Sequence, residues 1–238
     1  MKIISNFLWN LQKDRVFRAM DCREEGTAYD VLYAAYIKLE PILKELVEGE
    51  GGYYFIEKSK FPPIEKIDHC SKVACCFLTL GPKITDEISK LFHQGDYLEG
   101  MLLDVMADEL IFNFSNQLYS HLSNEARALG LGLTERIEPG EKDVPLKVQK
   151  AILTLFQAEG AALHLTLTEA YMLKPVKSMI YFYGSSKELP LSETDHSCKD
   201  CDKAACKFRD AGKLSVEPSG EKKSNLLKSV KGDNLNRY

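Results

Sequence analysis

No stretch of this 238-residue sequence approaches the roughly 18 consecutive apolar residues that a membrane-spanning helix requires, so a span is not expected. Runs of lysine and arginine are absent, as is any interleaving of basic with aromatic residues, and the net charge is −4; nucleic acid is therefore not expected as the main ligand. The opening residues Met1 to Trp9 lack the apolar core of a secretory signal, and Asp14 and Arg15 follow closely, which argues against export. Cysteine is present in an odd number, seven, with three near the C-terminus. That pattern excludes a simple paired disulfide framework and points to a reducing cytoplasm with thiol or metal chemistry. No Ser-His-Asp or metal-hydrolase arrangement occurs, and His69 and His164 stand alone, as satisfied structural histidines do.

What remains is a chain with 45% apolar residues, enough to bury a proper core. Residues 14 to 25 carry mixed charge without a clear period. Thr27 to Val47 places Val31, Ala34, Ala35, Leu39, Ile42, Leu43 and Leu46 at helical spacing, with Pro41 inside and Gly49, Gly51 and Gly52 closing it. Tyr53 to Ile56 and Val73 to Leu80 read as strands, bounded by Pro62-Pro63 and Gly81-Pro82. Ile84 to Phe92 is a second amphipathic helix. Asp96 to Ala128 is a third, with so few charges in its middle that it should be buried on several sides. Leu146 to Gln157 repeats the helical pattern, and Leu163 to Leu167 and Ser178 to Tyr183 read as strands. The succession of helix, strands, helices and strands lacks the regular alternation of a doubly wound sheet. The expectation is an α+β fold, a largely antiparallel twisted sheet flanked by helices, with a C-terminal Cys-rich loop. Residues 1–185 form the main domain, with a helical part over 1–50. Residues 186–211 are a Cys-rich metal-binding segment, and 212–238 a polar tail.

Between the third helix and the next lies Arg136-Ile137-Glu138-Pro139-Gly140-Glu141-Lys142-Asp143-Val144-Pro145, which has neither period. It reads either as a binding loop, with Arg136 offering a planar fork to a carboxylate or phosphate and the Pro139-Gly140 turn exposing backbone amides, or as a surface turn with a solvated arginine. A second chemical feature is His196-Ser197-Cys198-Lys199-Asp200-Cys201, running on to Cys206. Three thiolates within nine residues can converge on one metal. His196 would complete a tetrahedral zinc site, whereas a 4Fe-4S cluster would take a fourth cysteine from Cys70, Cys75 or Cys76 or leave one iron open. Those last three lie in or beside a strand, where buried free cysteine is ordinary.

Thr79-Leu80-Gly81-Pro82, the long helix containing Asp104 to Tyr119, and Arg136-x-x-Pro139-Gly140 followed by Gln149 together resemble the activation domain of cobalamin-dependent methionine synthase. Leu167-Thr168-Glu169-Ala170-Tyr171-Met172, leading to Pro175 and Ser178, resembles it too. The resemblance covers roughly residues 75 to 185 and is closest to short stand-alone members of that family, many of which also end in a cysteine cluster. It implies binding of S-adenosylmethionine at a corrinoid-carrying protein or methyltransferase, so that inactive cobalt(II) is reduced and remethylated. In that picture Arg136 grips the methionyl carboxylate, and backbone groups around Pro139 and Gly140 position the ligand. Two positions depart from the family pattern. Glu141 stands where the family has an aromatic residue, and a helix glutamate of the family appears, by ungapped alignment, as Asn116. The chain has no Asp-x-His-x-x-Gly signature of a corrinoid carrier, so cobalamin is expected only on a partner. Two alternatives stand beside this reading: an iron-sulfur protein passing electrons to a corrinoid protein, and a zinc-stabilised interaction module that has lost its ligand.

Overall fold

The computed structural model of the chain describes residues 1–161, 163–190, 206 and 208. In chain order they form β1 (Lys2–Ile4), α1 (Lys13–Ala19), α2 (Tyr29–Leu46), β2 (Glu50–Glu57), β3 (Lys72–Thr79), α3 (Pro82–Gln94) and α4 (Tyr97–Ala128). There follow β4 (Gly132–Leu133), α5 (Val148–Ala158), β5 (Thr166–Leu167), β6 (Leu173–Lys174) and β7 (Ser178–Ser186). Local chemistry explains the sharpest boundaries. Pro82 begins α3 because its missing N–H needs no partner in a first turn, and Gly95 ends it in the left-handed conformation, φ 87°. No described helix is long and apolar enough to cross a membrane.

Five strands form one antiparallel sheet in the order β1-β2-β3-β7-β4. The two central strands, β3 and β7, are covered on both faces, which is why they read as apolar runs instead of alternating ones. Along β3, Ala74, Cys76 and Leu78 point to one side and Val73, Cys75 and Phe77 to the other. Along β7, Tyr181 and Tyr183 join the first side, and Ile180 and Phe182 the second. The first face is roofed by α4, through Leu118, Tyr119 and Leu122, with α1, α2 and α3 packed around the other half of that helix. The second is roofed by Ile152 and Phe156 of α5 and by the segment from Phe61 to Ile67. Helix α4 runs alongside β7 in the same direction, since Asp104 and Asp108 meet Lys177, Ser115 meets Tyr181 and Tyr119 meets Tyr183.

The α+β architecture with a largely antiparallel, helix-flanked sheet agrees with the sequence expectation, and so do α2, α3, α4 and α5. Three readings change. Gly51 and Gly52 do not close a helix but sit inside β2, because a Cβ there would run into Leu78 and Phe7, or into Phe77 and Ile3. Leu163 to Leu167 is not a sheet strand. Only Thr166–Leu167 pairs, and its partner is Leu173–Lys174 in a separate two-stranded ribbon. Leu165 explains the apolar signal differently, as a fully buried plug in the core on the α5 side. The edge strands β1 and β4, three and two residues long, are too short to show a period of two. The N-terminal part is not all helical, since β1 lies in the same sheet as β3 and β7. His196, Cys198, Cys201 and the tail lie outside the described residues.

Candidate functional site

Ile137 pairs with Phe182 of β7 as an isolated antiparallel bridge, so the loop after β4 briefly adopts strand geometry. Ile137 enters the core on the α5 side, and the alternation of an extended chain then turns Arg136 and Glu138 together toward the α4 side. There the Arg136 side chain is only 7% exposed. Its Nη1 donates to Ser115 Oγ on α4 at 3.0 Å, and its Nη2 lies 3.0 Å from Glu138 Oε1. The guanidinium also sits 5.3 Å from the ring centroid of Tyr181, whose hydroxyl accepts a 3.3 Å bond from Ser115 Oγ. Tyr181, Tyr183 and Tyr119 continue this wall as an aromatic ladder with centroids 5.6 to 5.9 Å apart. The permanently charged fork is thus desolvated and held by a carboxylate, a hydroxyl and a ring face, with the planar donor geometry that matches a carboxylate.

Two turns earlier on the same side of α4 lies a second polar cluster. Lys177, at the start of β7, is 7% exposed, and its Nζ reaches Asp104 Oδ1 at 2.7 Å, Asp108 Oδ1 at 2.6 Å and the Asp104 carbonyl at 3.2 Å. All three ammonium protons are thereby satisfied. The lysine's own carbonyl accepts from Leu80 N–H, and the neighbouring Ser178 hydroxyl donates to Thr79 Oγ1 at 2.8 Å, closing the ends of β3 and β7 against α4. The loop carrying Lys177 contains a cis Lys174–Pro175 bond and the exposed Val176. Two carboxylates here share one ammonium.

The sequence candidates fall differently around these clusters. Arg136 is central. Asn116 is exposed and lies about 100° round α4 from Ser115, so it is Ser115 that faces the arginine. The turn at Pro139 and Gly140 spends its amides internally, Gly140 N–H on the Val144 carbonyl and Glu141 N–H on the Glu138 carbonyl. Neither amide is open to a ligand. The Glu141 carboxylate faces Lys66 at 3.8 Å, away from the arginine. Gln149, 8% exposed in the first turn of α5, has a buried Oε1 with no hydrogen-bond partner among the described residues. Among the described residues no three metal-ligating side chains converge. Cys70, just before β3, and Cys75 and Cys76 within it are buried, and burial pushes the Cys75 and Cys70 thiols above their ordinary values. Cys206 is half-buried, and Phe208 lies edge-on to Phe112 at 5.3 Å, on the turn of α4 between Asp108 and Ser115. Sequence reasoning missed Ser115, Glu138, Tyr181 and the Lys177 cluster. Asp104, Asp108 and Ser115 recur at helical spacing, a signal visible in retrospect, but Lys177 has no local companion.

The fold and site thus define an α+β domain in which a long helix and a central antiparallel strand bring a buried arginine close to a lysine–aspartate cluster. The solved MetH reactivation domain bound to AdoHcy has a similar fold, with a TM-score of 0.51 over 73% of this chain and 70% of that one, at 14% sequence identity. No protein-family model matches the sequence, and no curated protein does.

Proposed function

We propose that this chain is an accessory module, working in the cytoplasm, that docks a corrinoid-carrying protein and binds S-adenosylmethionine to support its reductive reactivation. The observation that carries the reading is the position of Arg136. It is held between α4 and β7, in a fold similar to one solved with AdoHcy, the demethylated form of that ligand. The residues suit the ligand: a desolvated guanidinium for its carboxylate, and the half-exposed Asp104 and Asp108 carboxylates for its cationic part. When bound, the ligand would supply an electrophilic methyl group on its sulfonium and leave as AdoHcy, while a separate one-electron donor would reduce the partner's cobalt(II). The chain itself would orient the donor and exclude water, with Tyr181 and Ser115 holding Arg136 in place.

In this reading the partner docks over the groove near Arg136 and the Lys174–Pro175 loop, where Met172 and Val176 expose apolar surface beside Lys174. Cys198, Cys201 and Cys206, with His196 as the alternative fourth ligand, would hold an iron-sulfur cluster or zinc on the segment that follows. Calorimetry with AdoHcy tests the ligand: binding in the micromolar range or tighter is expected, and absence of heat together with absence of thermal stabilisation refutes it. Retention of corrinoid proteins by the immobilised chain and by a Lys174→Glu variant tests the face, which fails if the variant retains them equally.

A further inference from the structure

We infer that Glu138 is a built-in competitor for the ligand carboxylate: it pairs with Nη2 of Arg136 and must swing out before a carboxylate-bearing ligand can take its place. The inference deepens the reading of Arg136 as the anion clamp and rests on it. Arg136 and Glu138 flank Ile137, whose pairing with Phe182 sets both side chains on the same side of the segment. At 7% exposure the guanidinium is too desolvated to stand without a counter-charge, and Glu138 supplies one at 3.0 Å. The Glu138 carboxylate, 24% exposed, lies at the solvent side of the pair, whereas Ser115 and the Tyr181 ring hold the arginine from within.

Exchange proceeds by a change of side-chain rotamer. The backbone of Glu138 is pinned on both sides, by the Ile137 bridge before it and by the Glu141 N–H bond to its carbonyl after it. One carboxylate replacing another leaves the charge around the guanidinium unchanged, so the swap avoids the cost of an uncompensated buried cation. A ligand without a carboxylate has nothing to offer the fork and cannot displace Glu138. The residue therefore sets specificity as well as a threshold. It rejects nucleosides and thioethers that lack the amino-acid end, and it lowers the affinity for those that carry it.

The experiment compares the wild-type chain with Glu138→Gln and Glu138→Ala by calorimetry and thermal shift, using AdoHcy, its decarboxylated analogue, and propionate. Both variants should bind AdoHcy about 10-fold more tightly than wild type, equivalent to about 1.4 kcal/mol, with no gain for the decarboxylated analogue. Millimolar propionate should raise the melting temperature of Glu138→Ala but not that of the wild type. Equal or weaker AdoHcy binding by folded variants overturns the inference while leaving the ligand reading intact. Selective propionate rescue with no AdoHcy binding by any form upholds the competitor role and sinks the AdoHcy reading instead. Failure of both probes on folded variants overturns the inference.

Discussion

Arg136 Nη1 donates a 3.0 Å hydrogen bond to Ser115 Oγ, joining the loop after β4 to the middle of α4 across 21 positions of sequence. That one bond converts an arginine that reads as a loop residue into part of a buried polar layer between helix and sheet. Because Ser115 also donates to Tyr181, the guanidinium is aligned by groups from two different elements.

Replacing Arg136 with Ala should weaken AdoHcy binding by 10- to 100-fold, about 1.4 to 2.8 kcal/mol, the range of a lost charged hydrogen bond. Arg136→Lys should recover little of it, because an ammonium cannot serve a carboxylate, Ser115 and the Tyr181 face at once. Titration calorimetry on the folded variants decides; unchanged affinity in Arg136→Ala removes the residue from the ligand site.

Lys177→Met should destabilise the fold by about 2 kcal/mol. The figure lies between the small worth of exposed pairs and the larger loss expected on breaking a buried one, since the Lys177 side chain is 8% exposed while those of Asp104 and Asp108 are 43% and 36% exposed. Urea unfolding measures it. Adding Asp104→Asn and Asp108→Asn should return part of the loss by relieving the remaining carboxylates, and a triple variant no better than the single one would show that the charges are not coupled.

The far end of α4 predicts a pH dependence. Burial alone would raise Glu125, but hydrogen bonds from Lys2 and Tyr53, each 2.7 Å, outweigh it and hold the carboxyl below its usual range. A depressed folded value stabilises the fold above the ordinary glutamate pKa, and the contribution is lost as pH falls through the folded one. The wild-type advantage over Glu125→Gln in urea midpoint should therefore be full near neutrality and shrink with acidification below about pH 4.5. A difference independent of pH would mean that charge is not what Glu125 contributes. The same tether joins edge strand β1 to the sheet's α4 side, so the variant should also speed amide exchange in Lys2–Ile4.

Anaerobically reconstituted protein should carry one metal centre per chain bound by Cys198, Cys201 and Cys206. With Cys70, Cys75 and Cys76 all buried, Cys201→Ala should abolish it, because no accessible thiol among those three can substitute. Metal analysis and electron paramagnetic resonance after dithionite reduction separate iron-sulfur from zinc. Equal iron in wild type and variant would refute the ligand set.

The sequence by itself determined the elements whose signal repeats locally. Helix α4 is legible because apolar residues recur over 32 positions at a helical period, and β3 and β7 because strands buried on both faces become apolar runs. It also marked Arg136 as a residue of interest from its irregular surroundings. Only the tertiary structure decided what Arg136 touches, since Ser115 and Tyr181 come from distant elements and Asn116 differs from Ser115 by one position but about a third of a turn. It likewise decided that Gly51 and Gly52 belong to a strand, where Phe7 and Phe77 fill the space a side chain would take, and that Leu165 plugs a core without joining the sheet. Lys177 shows the reason most directly. A lone lysine in a loop has no periodicity to read, and its burial follows only when β7 is laid along α4 and two aspartates a turn apart meet it there.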